Sequence, residues 1–300
     1  MKRPFDKEPA TYAEQIELLR RRGMAVRDLA EAEFHLRHVN FHRLSEYWRA
    51  FEADPVTHRF HPGTDFAEVL KLYALDRELR LLVLDAVERV EVSVRSQWTY
   101  QMAHRHGPHA HLDSTLAGRR GRWEQNLAKL VDETSRSHEV FIRNYRNNYI
   151  EALPPVWVVC EAMSLGQLSR WYANLKPMRT RRAIADGYGT DEQVLQSWLH
   201  HLAHLRNICA HHSRLWNRAF TITPRLPRHK PAGLINQCRR NSRKPYNTLV
   251  ILLYLMDCIV PGHHWRARLK AWLSRMGADT AAMDFPGGWE QQPIWRETSQ

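Results

Sequence analysis

Acidic residues are missing from a long stretch of this chain. Between Glu192 and Asp257 there is no Asp or Glu, while Lys and Arg occur ten times. The whole chain of 300 residues has 44 Lys and Arg against 32 Asp and Glu, a formal net charge of +12, so this one stretch carries all but two of the excess positive charges. Such an imbalance points to a polyanion, with nucleic acid first, rather than to an acidic small molecule. Cysteine is also scarce: the four present (Cys160, Cys209, Cys238, Cys258) lie far apart with no C-x-x-C pair. That fits reduced thiols in a cytosolic protein better than a zinc ribbon or a disulfide framework. Long hydrophobic runs are lacking too. The longest, LVILLYLMDCIV at 249–260, is too short to span a bilayer and contains Asp257, and the opening MKRPFDKEPA has no apolar signal core. The expectation is a cytoplasmic chain with no membrane partner. No internal repeat and no low-complexity tract is found.

Helical periodicity dominates what is present, and strand-like alternation is rare, so the expected fold is all-α. Thr11 with Glu14 forms a capping box that opens a first helix ending at Gly23, and residues 28–51 supply one or two more helices before the turn-rich EADPVTHRFHPGT. Asp65 caps a long helix to about residue 100 that contains no Pro or Gly. Loops at 107–113 and 117–122 precede a helix near 123–136. Pro154 and Pro155 start one helix through VWVVCEAMSLGQLSRWYANL, and Thr190 with Gln193 reads as the capping box of the next. A basic, proline-containing loop at 221–247 and a buried helix at 247–260 follow. The boundaries expected are an N-terminal helical extension at 1–60, a helical core at 61–260, and a tail at 261–300 that Trp265, Trp272, Trp289 and Trp295 pack onto the core.

Within the acid-free stretch, HLRNICAHHSRLWNR at 204–218 concentrates groups that hold phosphate or move protons. At about 100° per residue from Arg206, His200, His204, Asn207, His211, Arg214 and Arg218 fall in one arc between about 80° and 160°. Leu195, Trp198, Leu202, Leu205, Cys209 and Trp216 fall in an opposite, core-facing arc. Arg206 stands about 140° from His211, so a site uniting them needs a second surface. The bland reading of the polar arc is a solvated helix face. A zinc site is a further reading, since His200/His204, Asn207/His211 and Cys209 have helical ligand spacings, but no local carboxylate or second Cys/His pair completes it. The third is RNA chemistry. A near-neutral histidine can take a proton from a 2′-hydroxyl or give one to a departing 5′-oxygen. Arginine donates to the phosphate oxygens as charge builds, and Asn207 can orient the imidazole or join it on the phosphate. No metal or other cofactor is needed, because ribose supplies the nucleophile.

Two further groups leave alternatives open. Glu88, Glu91 and Arg95 lie at helical spacings of three and four, either as a surface ion pair or as a strip that orients the groups of the polar helix. Arg225, Arg228, Lys230, Arg239, Arg240, Arg243 and Lys244 form either a solubilising loop or a surface for the phosphate backbone, and the lack of any acid among them favours RNA. Most tryptophans are expected in the core, with Trp171 or Trp216 able to stack a base if exposed.

Arg206-Asn207 followed at four residues by His211 resembles the R-x(4–6)-H signature of HEPN ribonucleases, and RNICAHHSRLWNR resembles its extended form in the abortive-infection family of AbiD/AbiF type. VNFHRLSEYWRAF, LYALDRELRLLVLDAVERVEVSVRS, PPVWVVCEAMSLGQLSRWYANL, YNTLVILLYL and MDFPGGWEQQPIW look like segments of the same family in the same order. His42 departs from the tyrosine common there. The resemblance implies a HEPN-type helical bundle with N- and C-terminal helical additions, acting as a metal-independent anti-phage or toxin-like endoribonuclease that leaves a 2′,3′-cyclic phosphate. It places Arg206 and His211 in the catalytic positions with Asn207 as accessory, and makes His212, Arg214, Asn217 and Arg218 candidates for RNA contact or support. It also implies a homodimer, since this chain has one such motif, and RNA partners: a substrate and a cognate small structured non-coding RNA. The alternative reading is a protein that holds such an RNA without cutting it.

Overall fold

The computed structural model describes residues 8–296, the side chains of 277–279 excepted. Among the described residues there are twelve α-helices, one small two-stranded sheet and several short 3-10 turns, so the fold is all-α. The chain divides into two compact units, residues 1–78 and 79–300.

In the first unit, α1 (Tyr12–Arg21) begins with the expected Thr11/Glu14 capping box and stops before Gly23, whose φ of +97° suits the turn. The 28–51 stretch gives two helices, α2 (Leu29–Val39) and α3 (Phe41–Trp48). Asn40 separates them at a φ of +78°, and its side chain accepts the His42 amide. The turn-rich segment contains an unforeseen hairpin, β1 (Glu52–Asp54) against β2 (Arg59–Phe60). Leu19, Leu36, Leu44, Tyr47 and Trp48 fill the interior, where the Tyr47 hydroxyl donates to buried Asp76 at 2.7 Å.

The long helix α4 (Phe66–His106) starts in this unit and continues through the second. With no breaker it outruns the expected end near residue 100. In the second unit follow α5 (Arg120–Arg136), α6 (Val140–Asn148), α7 (Val156–Ala162), α8 (Leu165–Asn174), α9 (Met178–Asp186), α10 (Glu192–Ala210), α11 (Pro245–Ile259) and α12 (Trp265–Met276). The single helix expected after Pro155 is two. Met163 is extended, and Ser164 starts α8 with a capping box: its amide donates to Gln167 Oε1 at 2.8 Å. The expected Thr190 cap is also corrected. Asp191 accepts the Gln193 and Val194 amides, while Thr190 is buried with its hydroxyl on the Lys230 carbonyl.

Helix α11 runs through the core from Tyr246 to Met256. Asp257, the oddity in that apolar run, is held by buried Arg266 at 2.6 and 2.5 Å and by His263 at 3.0 Å. Trp265, Trp272 and Trp295 are buried, and the Trp265 indole donates to the Leu82 carbonyl of α4. Among the described residues no helix is long and apolar enough to cross a membrane.

Helix α10 packs against α8 and α9. The turn into it passes Gly189 at a φ of +57°, where an added Cβ would lie 2.9 Å from the Tyr254 hydroxyl. That hydroxyl is itself fixed on the Tyr188 carbonyl at 2.8 Å. Gly189→Ala therefore combines backbone strain with a clash and should cost more than about 1 kcal/mol in urea unfolding. An unchanged midpoint and slope would contradict this view of the turn.

Candidate active site at the end of helix α10

Leu195, Trp198, Leu199, Leu202, Leu205 and Cys209 are buried along α10, and His200, Arg206 and Asn207 are exposed with His204 half-buried. The helical phasing thus holds up to Ala210. His201 lies on the inner face. Its Nδ1 donates to the Ile222 carbonyl at 2.7 Å and its Nε2 accepts from Thr248 Oγ1 at 2.8 Å, so it is a neutral core imidazole whose burial pushes its pKa down to about 4. Cys209 is 1 % exposed, which withdraws it from any surface ligand set. Among the described residues no three His, Cys, Asp or Glu side chains are grouped to hold a metal ion.

Beyond Ala210 the expected stripe is corrected, because the helix ends there. The His212 amide donates to the Cys209 carbonyl at 3.1 Å and the Ser213 amide to the Ile208 carbonyl at 3.0 Å, the paired bonds of a Schellman turn. His212 holds the left-handed position, φ +59°, which a glycine usually takes. His211 is therefore the last residue before the reversal, exposed, with its amide on the Asn207 carbonyl at 2.9 Å. Arg206, Asn207 and His211 share the solvent side of this final turn.

Arg214 and Arg218 follow the reversal, so helical phasing does not place them. Leu215 and Trp216 are buried there and anchor the returning chain. Arg218 Nη1 donates to the Arg214 carbonyl at 3.0 Å. Asn217 adopts φ +52°, and both its carbonyl and its side-chain oxygen receive Lys244 Nζ. Burial, aided by nearby Arg214, pushes the Lys244 pKa down. The Arg243 guanidinium donates to the Phe220 carbonyl at 2.8 Å. Lys244, Arg243 and Asn217 thus clamp the loop that carries Arg214 and Arg218.

Of the strip on α4, Glu91 and Arg95 are not a solvated surface pair. Their side chains are 14 % and 18 % exposed, and Arg95 binds both the Glu91 carboxylate and the Met163 carbonyl. Burial pushes the Glu91 pKa up, and the opposing charges of Arg95 and then Arg206 offset part of that rise. The charge of Arg206, on another helix, is thus felt at Glu91. Glu88, by contrast, is exposed.

The remaining basic residues differ in their freedom. Arg228, Lys230 and Arg240 are exposed, and Arg239 pairs with Asp284 at 3.5 Å, an acid from outside the basic segment. Arg225 donates to Gln193 Oε1 at 2.5 Å, next to its own backbone bond to Ser197. Trp171 and Trp216 are buried at 6 % and 2 % exposure and unavailable for base stacking. Missed from the sequence were Arg122, Arg170 and Arg181, which lie beside His200 and Arg225. They come from three different helices, so no single periodicity could have found them.

The fold and this helix end define an all-helical protein with a polar, cationic turn closing an amphipathic helix whose inner face is buried. A family model described as Abi-like protein matches residues 34–217, more than half of the chain, and the chain belongs to that family. The family connects it with abortive infection, an antiviral defence. The matched range includes Arg206 to Asn217 and ends before the basic segment at 225–244. No curated protein and no solved structure gives a significant match.

Two outcomes follow from this geometry. His212→Gly should be about 1 kcal/mol more stable than His212→Ala in urea unfolding, since only the glycine relieves the left-handed backbone; equal stabilities would exclude the cap. His201 and buried His111 take up protons near 6.5 when unfolded but only at about 4 when folded. The unfolded chain then binds more protons in this window, so stability is full above about pH 6.5. It falls by up to roughly 1.4 kcal/mol per unit for each imidazole as the pH drops toward 4. A melting temperature unchanged between pH 7 and pH 5 would contradict it.

Proposed function

We propose that the protein is a metal-independent endoribonuclease of an abortive-infection or toxin-antitoxin system, working in the cytoplasm as a homodimer. The observation that carries the reading is the turn itself: Arg206, Asn207 and His211 are exposed together at the end of α10, inside the family match and inside a segment free of carboxylates. In the reaction the ribose O2′ forms a bond to phosphorus and the P–O5′ bond breaks. The products are a 2′,3′-cyclic phosphate and a 5′-hydroxyl. His211 takes the proton of the 2′-hydroxyl or delivers one to the leaving O5′, and Arg206 donates to the non-bridging oxygens as their charge grows. Asn207 orients the imidazole or shares the phosphate. Glu91, paired with Arg95, adds a negative charge that Arg206 feels, and a second copy of the turn, brought by dimerisation, supplies the facing surface. His212, Arg214 and Arg218 flank the turn, and Arg225, Arg228, Lys230, Arg239 and Arg240 attract the RNA backbone.

Purified protein should cut RNA with a chelator present, and Arg206→Ala or His211→Ala should slow cutting by about 100-fold or more, the usual weight of an acid–base or charge-stabilising group. Cutting at the wild-type rate by either variant would remove the assignment. Tight, salt-sensitive RNA binding with no cyclic-phosphate product would instead support a protein that holds a cognate small RNA without cleaving it.

A further inference from the structure

A groove runs along the outer side of α10, one wall from α5 and the end of α8, another from α9 and the chain after Thr223. Four arginines and one histidine line it, Arg122, Arg170, Arg181, Arg225 and His200, with serines and glutamines between them and no acidic residue. Several cations on one concave face, with no acid among them, raise the local concentration of a polyanion there.

The groove is built and oriented. Asn174 at the end of α8 fixes the chain entering α5: its side chain accepts the Arg119 amide at 3.0 Å and donates to the Arg119 carbonyl at 3.1 Å. Its own carbonyl takes the Gly118 amide at 2.7 Å. That lock sets Arg122, in the first turn of α5, over the groove. Arg181 lies 5.5 Å above the Tyr172 ring and donates to Gln196 Oε1 at 2.6 Å, yet its Nε is buried with no hydrogen-bond partner. Arg225 is set by Gln193 and by its backbone on Ser197. Gln193 and Gln196 both turn their amide oxygens to arginines, which directs their N–H groups outward as further donors. The floor thus offers planar forks and amide donors for non-bridging phosphate oxygens.

We infer that this groove holds the phosphate backbone of a single RNA strand on its way to the turn at His211. His200 is eleven residues before His211, about 16 Å along the helix axis. At roughly 3.4 Å per stacked nucleotide, the bound phosphates lie about five nucleotides from the one at the turn. A second depression shares Gln193 and Arg225 with this groove and is lined further by Arg228, His229 and Arg240, and by Asp191 and Glu192. The strand therefore binds most firmly on the acid-free side. The inference rests on the ribonuclease reading for its RNA, and adds a substrate track from residues outside the motif.

The test measures binding of a fluorescent 2′-O-methyl oligouridine, which cannot be cut through a 2′-hydroxyl, to the full-length protein across a salt series. Arg122→Ala/Arg170→Ala removes two exposed groove charges. Arg143→Ala/Arg179→Ala removes two exposed charges of the same sign outside it. The groove pair should weaken binding by about tenfold and make the log affinity against log salt slope shallower by about 1.4, while the control pair changes little. Equal losses for the two pairs, or none for the groove pair, overturn the track. With a cleavable RNA the groove pair should raise KM and leave kcat near wild type. An unchanged KM would sink the track while the nuclease reading stands. Groove-dependent binding without cleavage by the wild type would sink the nuclease reading alone, and no binding by the wild type would sink both.

Discussion

The structure of the second unit depends on the burial of one face of α10. Leu195, Trp198, Leu199, Leu202 and Leu205 are each almost fully enclosed. Each contributes on the order of 1.5–3 kcal/mol relative to an exposed position, so the rotational setting of the helix is not negotiable. Turning it by one residue, about 100°, would drive His200 and His204 inward and expose two leucines. Because the apolar arc is fixed against its neighbours, His200, Arg206 and Asn207 must face water. The cationic character of that outer face is thus a consequence of packing as much as of composition. The Trp198 indole, donating to the Arg225 carbonyl at 2.9 Å, carries the same constraint into the basic segment and holds its first arginine beside the helix.

Where α10 ends matters as much as how it is rotated. The reversal at His211 and His212 places the histidine at the tip of the helix and sends the chain back under it, with Leu215 and Trp216 buried beneath. The basic residues of the next thirty positions then divide by role. Lys244 and Arg243 hold backbone and side-chain oxygens of the returning loop, whereas Arg225 and its neighbours stand open along the groove. A cluster read as one electrostatic footprint is, in three dimensions, a clamp on one side and an open cationic face on the other.

The sequence was informative where the determinants are local. The Thr11 cap, the unbroken run of α4 and the sidedness of α10 follow from nearest neighbours on one helix, whereas α11 begins at Pro245, inside what reads as the end of the basic loop. Other local signals were present and outweighed: Ser164 with Gln167 begins α8 inside what reads as one continuous apolar period, and Asp191 caps α10 one residue past a threonine that matches the same pattern. The end of α10 carries no glycine, so a histidine in the left-handed position left the helical period to run on into Arg214 and Arg218. Beyond reach of any local pattern were contacts between distant segments. The charge of Arg206 acts on Glu91 from another helix, and the groove draws Arg122, Arg170 and Arg181 from α5, α8 and α9. Only the packed helices bring those charges together.

The ribonuclease chemistry proposed for the α10 turn requires the nucleophile to come from the RNA itself. The most direct measurement maps a cleavage position in a defined RNA and then replaces the nucleotide on its 5′ side with the 2′-deoxy form. Without the 2′-hydroxyl no cyclic phosphate can form, so that position should no longer be cut while others in the same strand are cut as before. Cutting at the substituted position at an unchanged rate would contradict the account, because the attacking oxygen would then come from elsewhere.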